Sequence, residues 1–388
     1  MTARPSPAAD RIRVVVADDS PFVCRLLTSY LQSSPDLQVV GTALNGARAV
    51  DLVRQLRPDA LTLDVEMPQM DGLAALEQIM LECPTPVIMV SGVSRAAARV
   101  TLDALELGAV DFVLKYTPGA DTNPEALRRE LVAKVRAASQ IKVIRALGVT
   151  NRRSANGDPA GCAPGRHANR PTVTAWTPEI PPDALPGGVV VIGASTGGPL
   201  ALRELLGNLP PEFPAAILVV QHMPANFTGV LATQLNRRVA LQVKEAEPGD
   251  RLRPGLVLVA PGGHHLLLRP DARVELNQGP TISGHRPSID VTMQSVAQVY
   301  GSRTRGVVLT GMGSDGSLGL LAIRAKGGRT YAQDAASCVV NGMPQRAIEQ
   351  GSVIHTGTPA AIARLLWADH AHRPEGARVA GSEIGQPC

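Results

Sequence analysis

A serine at position 195 stands in a glycine-rich turn that could support two kinds of chemistry. The stretch VVVIGASTGGPL (189–200) runs from four apolar β-forming residues directly into this turn. A strand that ends in glycines and opens a helix can bind a phosphate on its backbone N–H groups. The residues GASTG (193–197) also match G-x-S-x-G, a tight strand-to-helix turn that exposes a nucleophilic serine. Residues elsewhere in the chain therefore have to distinguish a cofactor turn from a nucleophile.

Two further residues could give Ser195 a base and a group that orients the base, as serine catalysis requires. His222 ends the buried-strand pattern AAILVVQH, and Asp315 follows the strand-like run GVVLTG in a glycine-rich loop. Because the C-terminal ends of parallel strands share one edge of a sheet, we expect these three side chains to converge there. Asp334, at the end of RTYAQD, competes with Asp315, whose glycine-flanked loop favours it. Thr196 is expected to line the site.

The other polar candidates of this half fit a catalytic triad less well. His264 and His265 are adjacent in a strand pattern, so their side chains point to opposite faces and both are interpreted as hairpin residues. His285 lies in the loop GHRPSID before a helix, where it either lines the site or only belongs to the loop. Asp290 is interpreted as a cap or first-turn residue of that helix.

A dinucleotide-binding turn would need an acidic residue about twenty positions later, at the end of the next strand, to hold a ribose. That strand ends here in Gln221 and His222 instead. The sequence therefore favours the nucleophile over the cofactor turn.

In the first half of the chain, acidic residues follow two apolar runs. Asp18 and Asp19 end IRVVVADD, and Asp64 ends ALTLD. Three carboxylates that converge at one sheet edge repel one another unless a cation binds between them, and Mg²⁺ prefers such oxygen ligands. Ser91 and Lys115 follow the fourth and fifth runs. This set suits an aspartate that accepts a phosphoryl group, with Mg²⁺ and Lys115 neutralising charge and Ser91 binding the product.

Alternating strand and helix patterns must position both sets of residues. From residue 12 to about 139, five β–α units predict an α/β domain with a doubly wound, five-stranded parallel sheet. Alternation resumes at Val189, and GLVLVAPGGHHLLLR (255–269) predicts a β-hairpin that turns on residues 261–263. The second domain is therefore expected to be α/β and Rossmann-like, with a mostly parallel, mixed sheet and a hairpin.

Composition predicts where these domains begin and end. We expect a first domain over 11–140, a flexible linker over 141–186 that is rich in Pro, Gly, Asn and Arg, a second domain over 187–370, and a disordered polar tail over 371–388. A length of 388 residues agrees with two domains.

Charge and composition exclude several kinds of partner. The net charge is only +4, no dense Lys/Arg block occurs, and aromatic residues make up 3%, so a nucleic-acid partner is not expected. Five cysteines without C-x-x-C spacing indicate neither zinc nor a disulfide framework, and favour a reducing compartment. Because we find no signal peptide and no apolar run of membrane-spanning length, we expect a cytoplasmic protein without membrane insertion.

The first half resembles the receiver domains of response regulators, which have a flavodoxin-like fold. The matching stretches are VVVADDS (14–20), LDVEMPQMDG (63–72), MVSG (89–92) and GAVDFVLK (108–115). The resemblance implies that Asp64 is the phosphoacceptor. It also implies that Asp19, Asp64 and the backbone carbonyl of Glu66 surround Mg²⁺, with Asp18 assisting.

The resemblance further implies a switch that registers phosphorylation, made by Ser91 and Phe112 together with Lys115. The chain departs from the family in one place, because Tyr116 follows Lys115 where the family usually has proline, often with a cis peptide bond. A non-proline cis bond costs about 2.5–4 kcal/mol, so the geometry of this loop is left open.

The second half resembles the catalytic domain of the chemotaxis methylesterase family CheB, and a receiver joined to this domain by a linker is that family's own architecture. The matching stretches are IGASTGGPLAL (192–202), VVQHMP (219–224), APGGHHLLL (260–268), HRPSIDV (285–291), LTGMGSDG (309–316) and AQDAASCVVNGMP (332–344). The resemblance implies a serine hydrolase that acts on glutamate γ-methyl esters of chemotaxis receptors, and some members also deamidate receptor glutamines. It implies a chemotaxis histidine kinase as phosphodonor and the Met312 amide as an oxyanion donor.

Within this interpretation Ser195 attacks the ester, His222 transfers the proton and Asp315 orients the imidazole, with no cofactor for the esterase step. The order Ser–His–Asp differs from that of α/β-hydrolases, so the G-x-S-x-G match is interpreted as convergence. We expect the unphosphorylated receiver to obstruct substrate access and phosphorylation of Asp64 to relieve this. Two alternatives stay open, namely a receiver fused to an NAD(P)-binding domain and an esterase-like domain that only binds or serves a partner outside chemotaxis.

Overall fold

The computed structural model describes residues 11–115, 123–141 and 187–371. Almost all of the predicted linker, all but the first residue of the predicted tail, and Tyr116 with its loop lie outside these ranges. In the part of the chain that is described, no helix is long and apolar enough to cross a membrane.

The chain divides into two compact units. Of the described residues, the first comprises those up to 141 together with Met223–Leu231, and the second comprises 187–222 and 232–371.

The first unit contains one five-stranded parallel sheet in the order β2-β1-β3-β4-β5. Its elements are β1 (Ile12–Ala17), α1 (Pro21–Gln32), β2 (Leu37–Ala43), α2 (Gly46–Leu56), β3 (Ala60–Asp64), α3 (Gly72–Glu82), β4 (Val87–Ser91), α4 (Arg95–Glu106), β5 (Asp111–Leu114) and α5 (Pro124–Ser139). Helix α1 packs on α5, while α2 packs on α3 and α3 on α4. The predicted doubly wound α/β receiver fold is confirmed.

Local sequence explains why these elements form. Strands β3 and β4 are buried along their whole length, as expected for a parallel sheet whose apolar strands are covered by helices on both faces. Each of the helices α1 to α5 begins after a residue whose side chain accepts a backbone N–H bond, which satisfies one free donor of the first turn. These N-cap residues are Ser20, Asn45, Asp71, Ser94 and Asn123.

The second unit contains a seven-stranded sheet in the order β14-β13-β12-β6-β7-β9-β8, and every pairing in it is parallel. Its first elements are β6 (Val189–Ala194), α6 (Gly198–Gly207), β7 (Ala216–Gln221), the part of α7 (Ala225–Arg238) that follows Leu231, β8 (Gln242–Glu245), β9 (Leu256–Val259), β10 (His265–Leu268) and β11 (Val274–Asn277). The remaining ones are α8 (Ile289–Tyr300), β12 (Thr304–Val308), α9 (Ser317–Ala325), β13 (Arg329–Gln333), α10 (Gly342–Glu349), β14 (His355–Gly357) and α11 (Pro359–Ala371).

The position of the hairpin differs from the prediction. Strand β9 lies inside the parallel sheet between β7 and β8, so both of its edges are occupied and β10 cannot pair with it. Strand β10 instead pairs antiparallel with β11 in a separate two-stranded sheet. The large sheet is therefore wholly parallel rather than mixed, and the β-hairpin is formed by the next two strands along the chain.

Candidate active site

Ser195, His222 and Asp315 each follow one of three adjacent strands in the second unit. These strands, β6, β7 and β12, lie side by side where the strand order changes direction, which is the usual binding position in open parallel sheets. The His222 N–H donates to the Ala194 carbonyl at 3.0 Å, and the Ser195 N–H donates to the Thr310 carbonyl at 3.0 Å. The sheet hydrogen bonds thus extend past the strand ends and bring all three segments to one edge.

The turn that carries Ser195 is held by a buried glutamine. The Gln221 side-chain amide donates to the Ser195 carbonyl at 2.9 Å and to the His222 carbonyl at 3.2 Å. The Gln221 amide also passes close to Gly198, the first residue of helix α6. A Cβ on Gly198 would lie 2.0 Å from the amide oxygen, so the contact requires glycine there. Gln221 therefore has a structural role in the position where a dinucleotide site would need an acidic residue.

His222 and Asp315 form a buried pair. His222 Nε2 lies 2.9 Å from Asp315 Oδ2, and their side chains are 5% and 2% exposed. A carboxylate accepts hydrogen bonds, so the proton of a neutral His222 ring belongs on Nε2 and Nδ1 carries the lone pair. His222 Nδ1 is itself buried and has no hydrogen-bond partner among the described residues. The imidazole is thus held in the form that a general base requires.

The start of helix α8 stabilises the negative charge of Asp315. The carboxylate accepts the Ile289 N–H at 2.8 Å, the Asp290 N–H at 3.0 Å and the Ser288 hydroxyl at 3.0 Å. Burial raises the pKa of Asp315, but the bond to His222, the positive charge of that ring when it is protonated and the two N–H groups outweigh burial and lower the pKa to about 2. Asp315 is therefore ionised at neutral pH.

Asp290 serves helix α9 rather than its own helix. It lies in the first turn of α8, as predicted, but the N-cap of that helix is Ser288. Asp290 Oδ1 accepts the N–H groups of Gly316 at 2.9 Å and Gly319 at 2.6 Å, at the start of α9. Burial and then the charge of Asp315 raise its pKa to about 6. This carboxyl therefore links α8 to the helix that follows the Asp315 loop.

Two of the other histidines contact residues of the site. The buried His265 accepts the Ser288 N–H on Nδ1 at 3.2 Å, and its Nε2 lies 3.0 Å from the Pro280 carbonyl. The ring of His285 stacks on His222, with centroids 3.8 Å apart and planes 7° apart. The sequence placed His285 in the correct loop, but no pattern in it indicated the ring contact. His264 instead contacts Gln278.

The remaining predicted residues of this unit lie as follows. The Thr196 carbonyl accepts the Thr310 hydroxyl at 2.9 Å, and Thr196 is buried. Met312 follows Gly311, where an added Cβ would lie 2.7 Å from Ser195 Cβ, so the Met312 segment passes beside the serine. Asp334, the competing carboxylate, accepts hydrogen bonds from Ser337, whereas Asp315 is the one that meets His222.

In the first unit, the predicted acidic cluster forms at the strand ends. One carboxylate oxygen from each of Asp18, Asp19 and Asp64 lies within 4.8 Å of the others. Asp18 Oδ2 is buried and makes no hydrogen bond, although the Lys115 ammonium is 3.0 Å away. Such a set of oxygen donors with a buried free oxygen fits Mg²⁺. Glu66, whose carbonyl was predicted as a ligand, is two residues after Asp64.

The Asp64 carboxylate contacts Lys115 and has a raised pKa. Its carboxylate accepts from Lys115 Nζ at 2.7 Å. Burial raises its pKa to about 6, assisted by the charge of Asp18 and opposed by Lys115. Two of the three predicted switch residues, Ser91 and Phe112, are buried, and the Ser91 hydroxyl accepts from the Thr101 hydroxyl at 2.7 Å. The Phe112 carbonyl accepts from Lys134 at 2.6 Å.

These two sites define a class of protein. In it, a receiver domain with an acidic cluster is joined to an α/β domain that carries a serine, a histidine and an aspartate at adjacent strand ends, as in a hydrolase. The family model for the response regulator receiver domain matches residues 14–123, and the family model for the CheB methylesterase matches residues 190–366. The chain belongs to the CheB methylesterase family.

Two curated relatives of similar length support this assignment. A protein-glutamate methylesterase/protein-glutamine glutaminase of Symbiobacterium thermophilum is 46% identical, and the match covers 88% of this chain and 92% of that protein. A second, from the group 1 operon of Pseudomonas putida, is 41% identical over 87% of this chain and 94% of its own. Among solved structures, the chain is similar to the Thermotoga maritima CheB methylesterase catalytic domain, with 43% sequence identity and a TM-score of 0.46. The match covers 47% of this chain and 98% of that domain.

Proposed function

We propose that this protein hydrolyses γ-methyl esters of glutamate on methylated chemotaxis receptors and that phosphorylation of its receiver domain controls this activity. As a CheB family member it is a methylesterase with a regulatory receiver, and its relatives are also named glutaminases. The observation that carries the proposal is the buried His222–Asp315 pair, whose open ring nitrogen lies at the same sheet edge as Ser195.

The esterase reaction follows from this geometry. His222 Nδ1 takes the proton of the Ser195 hydroxyl while Oγ attacks the ester carbonyl carbon, and the bond to Asp315 stabilises the imidazolium that forms. The proton then passes from Nδ1 to the departing methoxide, which leaves as methanol. Water enters next and gives a proton to His222 as its oxygen attacks the acyl-enzyme carbonyl. His222 then returns this proton to Ser195 Oγ as the bond to glutamate breaks.

Backbone N–H groups are proposed to stabilise the tetrahedral oxyanion. The Met312 amide follows Gly311, which lies against Ser195, and the N-terminus of helix α6 begins three residues after the serine. Both sources place N–H dipoles at the edge where negative charge develops. Thr196, between the serine and the Gly197 N-cap of this helix, is proposed to line the site.

The receiver is proposed to accept a phosphoryl group on Asp64. Asp18, Asp19, Asp64 and the Glu66 carbonyl would hold Mg²⁺, which supplies positive charge to the transferred phosphoryl oxygens. Lys115 already contacts Asp64 and would contribute a second positive charge. A histidine kinase of the chemotaxis pathway is the proposed donor, and the cytoplasm is the proposed location because the esters of the receptors lie there.

The test measures methanol release from membranes that carry methylated receptors, with and without a small phosphodonor and Mg²⁺. We expect release by the wild type, a higher rate after phosphodonor addition, and no release by Ser195→Ala. The Asp64→Asn variant should keep the basal rate and lose the response to the phosphodonor. Methanol release by Ser195→Ala would contradict the catalytic proposal, and a response by Asp64→Asn would contradict the regulatory one.

A further inference from the structure

The His285 ring covers one face of the His222 ring in the second unit. The two centroids are 3.8 Å apart and the planes differ by 7°, so the rings lie nearly parallel at contact distance. The bond from Nε2 to Asp315 fixes one corner of the His222 ring but leaves it free to rotate about that bond. A flat partner at contact distance removes this rotation, because tilting the ring would drive it into His285.

The backbone of His285 is held rigidly enough to do this. Ile282 and His285 exchange two hydrogen bonds, of 3.0 and 2.9 Å, across a two-residue turn. The residues between them, Ser283 and Gly284, both have positive φ, as in the type I′ turns that join antiparallel segments. The Arg286 carbonyl, one residue further, accepts the Gly263 N–H at 2.9 Å. His285 therefore stands on a closed turn that is tied to a neighbouring loop.

The same segment supplies the partners of Asp315. Ser288 and Ile289, three and four residues after His285, both donate to that carboxylate. One stretch of chain thus holds the orienting carboxylate and the covering ring together. Asp315 and His285 thus both contact the His222 ring, one at its edge and one on its face.

The electrostatics of the stack change during the reaction. Two neutral aromatic rings disfavour a face-to-face arrangement, since their negative faces meet. A cation over the face of an aromatic ring is attracted to it instead. The stack is therefore more favourable when His222 has become an imidazolium, which happens only after it takes the proton of Ser195. An interaction that strengthens in the transition state raises kcat rather than improving substrate binding.

We propose that His285 is a positioning residue of the esterase reaction, which fixes the plane of the His222 ring and stabilises its imidazolium form by stacking on it. This inference rests on the function proposed above. It concerns a residue that exchanges no proton with the substrate and acts only through His222.

The test compares His285→Ala and His285→Phe with His264→Ala as a matched control in the full chain, because His264 contacts Gln278 and not His222. In His285→Ala we expect kcat for methanol release to fall about tenfold with KM within twofold. Phenylalanine keeps a flat aromatic face without a titratable nitrogen, so His285→Phe should recover most of kcat. The control should match the wild type.

Two further measurements separate this inference from the proposed function. The rate at which a fluorophosphonate labels Ser195 reports the power of His222 as a base without any receptor, and it should fall in the alanine variant and recover with phenylalanine. The ring protons of His222, followed by NMR, should lose the upfield shift from the stacked ring in His285→Ala and keep it in His285→Phe.

The outcomes are distinct. A wild-type chain whose Ser195 is not labelled and which releases no methanol would contradict the proposed function. A labelled, active wild type with full kcat in His285→Ala, or with phenylalanine no better than alanine, would overturn the role of His285. A loss that falls on KM would also overturn it.

Discussion

Asp315 accepts hydrogen bonds on both carboxylate oxygens, and these bonds determine which nitrogen of His222 carries a proton. Oδ1 accepts from Ser288, Asp290 and Gly316, and Oδ2 accepts from Ile289 and His222. All five are donors, so every position around the carboxylate requires an acceptor. The arrangement is specific for an ionised carboxylate, which an amide of the same shape does not match.

Asp315→Asn should therefore remove almost all activity. The new NH₂ group should occupy the Oδ2 position, because two donors face that position and three face Oδ1. There it would donate to His222 Nε2 and move the ring proton to Nδ1. A ring protonated on Nδ1 cannot take the Ser195 proton, so we expect kcat to fall by about 10³–10⁴. The opposed N–H groups should also lower the free energy of unfolding by about 1–3 kcal/mol.

Methanol release and urea unfolding measure these two effects. Asp334→Asn is the matched control, since that carboxylate bonds Ser337 and should tolerate the change without loss of activity. If Asp334→Asn were the inactive variant, the competing aspartate would be the orienting group.

At the scale of secondary structure, α8 and α9 depend on each other through side chains at their first turns. The N-terminus of α8 binds Asp315, which precedes α9, and Asp290 of α8 binds the N–H groups that begin α9. The N-cap residue of α9 is Gly316, which has no capping side chain, so Asp290 replaces the missing cap. Packing between the two helices thus places the Asp315 carboxylate.

Asp290 gives a prediction about pH. Because its pKa is raised to about 6 in the fold, above its ordinary value of 3.8, its contribution to stability is fully present below about pH 4 and is lost as the pH rises through about 6. Asp290→Asn keeps an oxygen for the N–H groups of Gly316 and Gly319 but cannot ionise. Between pH 4 and pH 7 the free energy of unfolding of this variant should rise by about 1–3 kcal/mol relative to that of the wild type.

Denaturant unfolding at several pH values measures this difference. Asp290→Ala, which removes the acceptor as well, should be less stable than Asp290→Asn by about 1–2 kcal/mol at every pH. If the free energies of unfolding of the wild type and Asp290→Asn differed by the same amount at pH 4 and at pH 7, Asp290 would not titrate in this range.

At the scale of the whole molecule, the sequence predicts the order of elements better than their partners. Alternating apolar runs placed the five βα units of the receiver, and strand-end position placed Ser195, His222 and Asp315 at one edge. The hairpin was assigned to the wrong strands, because the pairing of β9 with β7 and β8 is set by tertiary contacts that local turn residues do not encode. The stack of His285 on His222 depends on such contacts too.

Two compact units with separate sheets predict two unfolding transitions in calorimetry of the full chain. If Mg²⁺ binds the native receiver at the proposed site and not its unfolded chain, it should raise the midpoint of one transition and leave the other unchanged. The increase should be larger above pH 6, because the raised pKa of Asp64 means that protons compete with the ion below it. Asp19→Asn removes one of the clustered carboxylates and should abolish most of the shift. Equal Mg²⁺ shifts in the wild type and Asp19→Asn would mean that the ion binds elsewhere on the protein.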